Sequence, residues 1–231
     1  MPDGVENLLS SSVEDYLKAI YLQTRDGKPT STLALAETLQ IKPASVSNML
    51  QRLSEGEQVL VQYRKRYGVL LTREGEKAAL SIIRRHRLLE QFLFQVLDYP
   101  LEEVHQEAER LEHVVSPLFV DRIVRLMEDP IYDPHGHPIP DQYLNINDER
   151  KLRQLSDLKE GDRAVVRKLS DQNRETLTYL RAAGITPGME IKVTQKNPVD
   201  GSLQYQFLGS AENHVLGEAT CMAIQVEMIE G

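Results

Sequence analysis

Along the first third of the chain the apolar residues recur with the helical period. The run VEDYLKAIYLQ after Ser12 puts Val13, Tyr16, Leu17, Ile20 and Tyr21 on one face, the stripe of a helix packed on a core. Ser12 is the expected N-cap, with Asp15 in the place a capping box gives to Glu or Gln. RDGKP breaks the pattern. Thr32 then opens a short amphipathic helix, LALAETLQI. KPASVSNMLQRLSEGEQV opens another, with Pro43 in its first turn and an end near Glu55-Gly56. VLVQYRKRYGVLLT reads as strand, basic turn, strand.

The same period predicts three more helices. REGEKAALSIIRRHRLLEQFLFQVL starts at or just after Thr72 and is closed by Asp98-Tyr99-Pro100. Leu101 to Val115 follows, then SPLFVDRIVRLMEDP, with Leu118, Ile123, Val124, Leu126 and Met127 available for packing. DPHGHPIPDQYLNINDER is rich in Pro, Asp and Asn and reads as a structured linker, with His135 and His137 as turn residues. Beyond it the period falls to two. RAVVRKL, MEIKVTQ, LQYQFLG, HVLGEA and AIQVEMI, interrupted by one helix ending on Gly184, predict about five strands of a small SH3-like β-barrel.

A chain of 231 residues has room for two or three domains. No apolar run reaches the roughly 18 residues of a membrane span, and MPDGVENLLSSS lacks a basic region followed by an apolar stretch. A single cysteine, Cys221, excludes an internal disulfide framework and fits a reducing cytoplasm. The net charge of −8 argues against nucleic acid as a partner, but its distribution changes that. The first 75 residues hold nine basic and nine acidic side chains, and the acid excess lies beyond them.

Within Leu101–Val115, His105, Glu109, Glu112 and His113 stand at i, i+4, i+7 and i+8 and share one helical face. Upstream, His86 and Glu90 stand at i, i+4, and Asp15 is a carboxylate on the first helix. Carboxylates and imidazoles without thiolates suit Mn(II), Fe(II) or Co(II) better than a closed structural zinc site. The competing reading is a solvated acidic face carrying histidines. Two short helices with a tight join followed by a basic hairpin make a winged helix-turn-helix. Ser45, Ser47 and Asn48, with Arg52 further along, lie where base edges are read. Arg64, Lys65 and Arg66 at the wing tip are placed for phosphates. A dimer of the middle helices would pair two such heads on one duplex.

YLKAIY, SVSNMLQRL, RRHRLLE, EAERLEHVVS and DPHGHPIP together resemble the diphtheria-toxin-repressor family of metal-dependent transcriptional regulators, closely over residues 10–140. The resemblance implies a cytoplasmic homodimer that binds double-stranded operator DNA when loaded with metal, with no enzymatic activity, organic cofactor or membrane association. His86, Glu112 and His113 match ligand positions shared across the family. Asp15 and Glu109 stand where iron-responsive members have Met and Cys and manganese-responsive members have Asp and Glu. That points to Mn(II), with Fe(II) as the alternative, and one or two ions per subunit. Lys18 stands where the manganese branch has another Glu, and an ammonium cannot ligate. A second ion would use Glu90 and His105, which match the ancillary site of the longer members.

The tail is similar to the C-terminal domain of those members and to small ferrous-transport accessory (FeoA-like) proteins. That barrel lends a carboxylate and an amide to the ancillary metal. The matching positions fall near Asn173 and Thr176, with Asp171, Gln172 or Glu175 as substitutes, or the barrel packs without ligating. The expected architecture is mainly α with a C-terminal small β-barrel. It comprises a winged helix-turn-helix domain at 1–75, a helical dimerisation and metal-binding domain at 76–140, a linker at 141–155 and an SH3-like domain at 156–231. Two readings from other classes are a metallohydrolase, with the cluster activating water, and a metal-independent winged-helix sensor of an organic ligand.

Overall fold

The structure, a computed structural model, describes residues 9–55, 58–171 and 173–229. It divides into two compact units, the first reaching Arg85 and including Pro140–Asn145, the second comprising His86–Ile139 and the chain from Ile146 onward.

In the first unit α1 (Ser11–Gln23) buries Tyr16, Leu17, Ala19 and Ile20. The N–H groups of Val13 and Glu14 both donate to Ser10 O, at 2.8 and 3.0 Å. The helical ladder therefore starts from Ser10, and the capping box expected at Ser12 and Asp15 does not form. α2 (Thr32–Thr38) is capped by Ser31, whose Oγ accepts from Ala34 N at 3.0 Å. Gln40 turns the chain at φ +52°, and Ile41 N closes back on Ala36 O. α3 (Pro43–Ser54) starts with Pro43 in its first turn and buries Val46, Leu50 and Leu53. Gly56, where this helix was expected to end, lies outside the described residues.

β1 (Val61–Arg64) and β2 (Gly68–Leu71) pair antiparallel, Val61 opposite Leu71. Thr30 bridges to Val69, and a Cβ on Gly68 would lie 2.5 Å from Thr30 O, so only glycine lets this third backbone approach. α4 (Arg73–Gln95) begins behind Thr72, whose Oγ1 accepts from Gly75 N. Its Arg85 pairs with Glu14 of α1 at 2.8 Å.

The second unit holds the rest of α4, α5 (Val104–Leu111) and α6 (Pro117–Leu126). Leu88, Leu89, Leu93, Val104, Ala108, Ile123, Met127 and Ile139 form their core. The helix expected from Leu101 to Val115 is shorter. Residues 101–103 and 112–114 are turns, because Pro100 O takes Glu103 N at one end and Ser116-Pro117 caps and opens α6 at the other.

The chain then forms β3 (Leu152–Gln154), β4 (Arg163–Leu169), α7 (Arg174–Ala182), β5 (Glu190–Lys196), β6 (Leu203–Phe207), β7 (His214–Leu216), α8 (Glu218–Cys221) and β8 (Ile224–Met228). The six strands run β3-β8-β4-β5-β6-β7, every pair antiparallel. Register shifts in β4 and β5 bend the sheet around Val166, Val193, Tyr205, Ile224 and Val226. The expectation of about five strands missed β3. It lies inside the stretch read as linker and is too short to alternate visibly. α7 ends as expected, on Gly184 at φ +75°. No described helix is long and apolar enough to cross a membrane.

Candidate metal centre and nucleic-acid interface

On α3 the buried line of Val46, Leu50 and Leu53 turns the other face outward. Ser45, Asn48 and Arg52 are exposed there. Ser47 is half-buried, and its Oγ donates to Pro43 O at 3.2 Å, so its one hydroxyl proton is engaged by its own helix. Arg64, Lys65 and Arg66 are all exposed at the β1–β2 tip, which turns through Arg66 at φ +76°. Sequence reasoning missed Tyr67, 80% exposed beside them. Asp15 is half-buried on α1, and Lys18 is buried on the same helix.

The other metal candidates lie in the second unit. α4 carries His86 and Glu90 one turn apart, and α5 presents His105. His86 Nε2 lies 3.0 Å from Glu90 Oε1 and 3.1 Å from His105 Nδ1, and His105 Nδ1 lies 3.0 Å from the same Glu90 oxygen. The three donors form a nearly equilateral triangle. Its sides are hydrogen-bond lengths. The other imidazole nitrogen of His86, Nδ1, is 2.5 Å from Glu112 Oε2. Glu112 is fully buried at the C-cap of α5, and its second oxygen is 3.6 Å from His113 Nε2. Glu112 on one ring nitrogen and Glu90 with His105 on the other fix the orientation of the His86 ring. Glu109 is more exposed, its Oε1 3.8 Å from His105 Nε2. The single-face stripe predicted for residues 105–113 is therefore split: His105 and Glu109 stay on the helix, while Glu112 and His113 leave it as the chain turns.

A second cluster adjoins the first through Glu90. Asp133 Oδ1 accepts from the backbone N–H groups of His135 and His137, each at 2.9 Å. Gly136 turns between them at φ +87°, where a Cβ would lie 1.9 Å from Arg167 O. Leu169 N donates to His135 O, so the loop lies on β4. Arg150 clamps it from outside, stacked 3.8 Å over the Tyr132 ring and donating to Gly136 O at 2.8 Å.

Inside the loop, His135 Nε2 is 3.0 Å from Leu101 O. A carbonyl only accepts, so that nitrogen carries the proton and Nδ1 is the bare one. Nδ1 is buried, without a hydrogen-bond partner among the described residues, 3.8 Å from Glu90 Oε1. Glu90 Oε2 is likewise buried without such a partner, whereas His137 Nδ1 and Asp133 Oδ2 face each other at 3.2 Å, with Arg87 Nε 3.7 Å from the same oxygen. Asp171 enters from beyond β4, its Oδ2 3.7 Å from His137 Nδ1, and it groups with Glu90 and His105 at metal-ligand range. Buried polar atoms left unpaired are costly; a cation would satisfy them, so the residues present fit a divalent ion.

Of the barrel candidates, only Asp171 joins these groups among the described residues. Asn173 caps α7, its Oδ1 accepting from Thr176 N at 3.0 Å, Glu175 is exposed, and Gln172 lies outside the described residues. His135 and His137 flank the turn at Gly136, as expected of turn residues, and their side chains also group with Asp133 at metal-ligand range. The available signal was Asp-Pro-His-Gly-His itself, three donors within five residues.

Burial works to raise the Glu90 carboxyl, but the field of His86 and hydrogen bonds from His105 and His86 outweigh it and hold it well below the usual carboxylate range. For Asp171, burial is likewise outweighed, chiefly by His137, and its carboxyl is lowered. Both carboxylates are therefore charged at neutral pH, as ligation requires. On the outer side of α6, Leu118, Phe119 and Leu126 are exposed, while Ile123 and Met127 pack inward.

Three family models match the chain in order. The iron dependent repressor N-terminal DNA binding domain matches residues 8–69. The iron dependent repressor metal binding and dimerisation domain matches 72–141, and the FeoA domain matches 153–228. The chain is 31% identical over 234 residues to the iron-dependent repressor IdeR of Mycobacterium tuberculosis, across 96% of this chain and all of that protein. It is 33% identical over 121 residues to the HTH-type transcriptional regulator MntR of Bacillus subtilis, across 52% of this chain and 83% of that one. A solved manganese-dependent transcriptional repressor in complex with manganese matches with a TM-score of 0.83 at 34% identity, over 94% of this chain and all of that one. The chain belongs to the iron-dependent, or diphtheria toxin, repressor family of metal-dependent DNA-binding transcriptional regulators.

Proposed function

We propose that this protein is a Mn(II)-responsive repressor of metal-uptake genes, acting as a homodimer in the cytoplasm. The observation that carries the reading is the gathering of oxygen and imidazole donors on both sides of His86, with Glu112 at 2.5 Å from one ring nitrogen and Glu90 and His105 at 3.0 and 3.1 Å from the other. All are oxygen or imidazole donors. The one cysteine, Cys221, is buried in the barrel core, its thiol pushed up by burial to about 11, so no thiolate is at hand to favour a softer metal.

Asp15, His86, Glu109, Glu112 and His113 are assigned to one ion. Glu90, His105, His135 and Asp171 are assigned to a second, with Asp133 and His137 completing its surroundings. The bound cation would neutralise carboxylates that otherwise repel one another. Asp15 sits on the helix that precedes the reading head. Ser45, Ser47, Asn48 and Arg52 face bases, Ser47 through its hydroxyl oxygen as acceptor, Arg64, Lys65 and Arg66 face phosphates, and the apolar outer side of α6 pairs two subunits. Two reading heads so paired would meet half-sites about 34 Å apart on one duplex. Nothing in this scheme needs turnover or an organic cofactor.

Iron is the second reading, favoured by the likeness to an iron-dependent repressor. A gel shift of full-length protein against genomic promoter fragments, in buffers that fix free metal, decides between them. Mn(II) is expected to activate binding at a lower free concentration than Fe(II), and a chelator to abolish it. Activation by Fe(II) first would transfer the assignment to iron. Binding unchanged by chelator would end the metal-dependent reading.

A further inference from the structure

We infer that Gln51 is a second amide on α3 that reads adenine, beside Asn48. The inference rests on the reading of α3 as the base-contacting helix. At about 100° per residue, Val46, Leu50 and Leu53 define the inner line of α3, and Ala44, Asn48 and Gln51 fall opposite it. All three are exposed. Helices that lie in the major groove read bases from positions spaced i, i+3, i+4 and i+7. Counted from Ala44, those positions are Ser47, Asn48 and Gln51. The Ser47 hydroxyl proton is engaged by Pro43 O, so at these four positions the Ala44 methyl and the two carboxamides add to the Ser45 and Arg52 contacts proposed above.

Gln51 is already oriented. Its Nε2 donates to Glu55 Oε1 at 3.2 Å. A carboxylate only accepts, so the amide cannot turn end for end without losing that bond. The second N–H and Oε1 remain for a ligand. One donor beside one acceptor complements adenine, whose major-groove edge offers the N7 acceptor and the N6 amino donor. Asn48 and Gln51 are three residues apart, about 4.5 Å along the helix axis, against about 3.4 Å per base pair. The two amides therefore address neighbouring or next-neighbouring base pairs, and the Ala44 methyl suits the thymine methyl at the other end of the set. The ligand assigned is a half-site with two closely spaced adenines. An exposed Gln bonded to a Glu four residues on is otherwise an ordinary surface helix pair, and base preference separates the two roles.

The test is selection from a randomised duplex pool by the full-length protein with Mn(II), comparing wild type, Gln51→Ala and Gln51→Arg. Wild type should enrich a half-site. Gln51→Ala should lose roughly 5- to 150-fold discrimination at one adenine of it and leave the other positions as they were. Gln51→Arg should change the preferred base there to guanine, whose O6 and N7 take a guanidinium, a gain that misfolding cannot mimic. If both variants keep the wild-type preference at every position, Gln51 reads nothing. If wild type enriches no sequence with Mn(II) or with Fe(II), the DNA-binding reading itself fails and this inference falls with it.

Discussion

A fully buried carboxylate such as Glu90 must meet compensating charge or hydrogen bonds, since desolvation costs several kcal/mol per ion. Three imidazoles answer that need, and they are also the donors a divalent cation requires. His135→Ala removes a nitrogen from this set without touching His86 or Glu112. Equilibrium dialysis with Mn(II) is expected to show one ion fewer per subunit, or at least a 10-fold weaker second site, with the first unchanged. Gly136→Ala is expected to destabilise by about 2 kcal/mol or more, read from the urea midpoint, because its φ is positive and Arg167 O occupies the Cβ position. Cys221 should resist alkylation at pH 7 until the protein unfolds. Its folded pKa of about 11 lies above an unfolded value of about 8.5. The folded state therefore holds the proton longer, and stability from this group falls as pH rises through that interval.

At this scale the sequence was legible wherever spacing on one helix was enough, as for His86 with Glu90 and His105 with Glu109. The partners of His135 and His137 were not legible, because only tertiary packing brings Glu90 and Asp171 to that loop.

Among the elements, the wing and α6 carry the clearest expectations. Arg64, Lys65 and Arg66 extend into solvent from a two-stranded hairpin. Each phosphate contact releases about one counterion. Lys65→Ala is therefore expected to lower the slope of log affinity against log salt by about one while leaving base preference alone. α6 places Leu118, Phe119 and Leu126 outside its own core. Leu126→Glu puts a charge into that apolar face, and sedimentation is expected to show monomer where wild type shows dimer. The helices themselves were readable from their apolar period and breakers. Their ends were not: α1 starts from Ser10 because three consecutive serines offer competing caps, and α5 is cut short by the Ser116-Pro117 start of α6. β3 escaped because three residues carry too little alternation to stand out, and its pairing with β8 is a long-range contact.

At the scale of the whole molecule, family resemblance carried further than periodicity. The net negative charge pointed away from DNA, and only its confinement to the later parts of the chain allowed a neutral reading head. By its contacts the chain forms two compact units, and residues of α4 belong to both. A run of amphipathic residues shows that a helix such as α4 exists, not that its two ends belong to different units.

The account's central claim is that a divalent ion, held by oxygen and imidazole donors, controls operator binding. The most direct measurement is fluorescence anisotropy of a labelled operator duplex against buffered free Mn(II), for wild type, His86→Ala and Asp15→Ala. Wild type is expected to gain roughly 100-fold in DNA affinity as metal saturates, the upper range of allosteric coupling. Both variants should stay at the metal-free affinity with unchanged far-UV circular dichroism. A wild-type affinity independent of Mn(II), or variants that respond to it as wild type does, would contradict the claim.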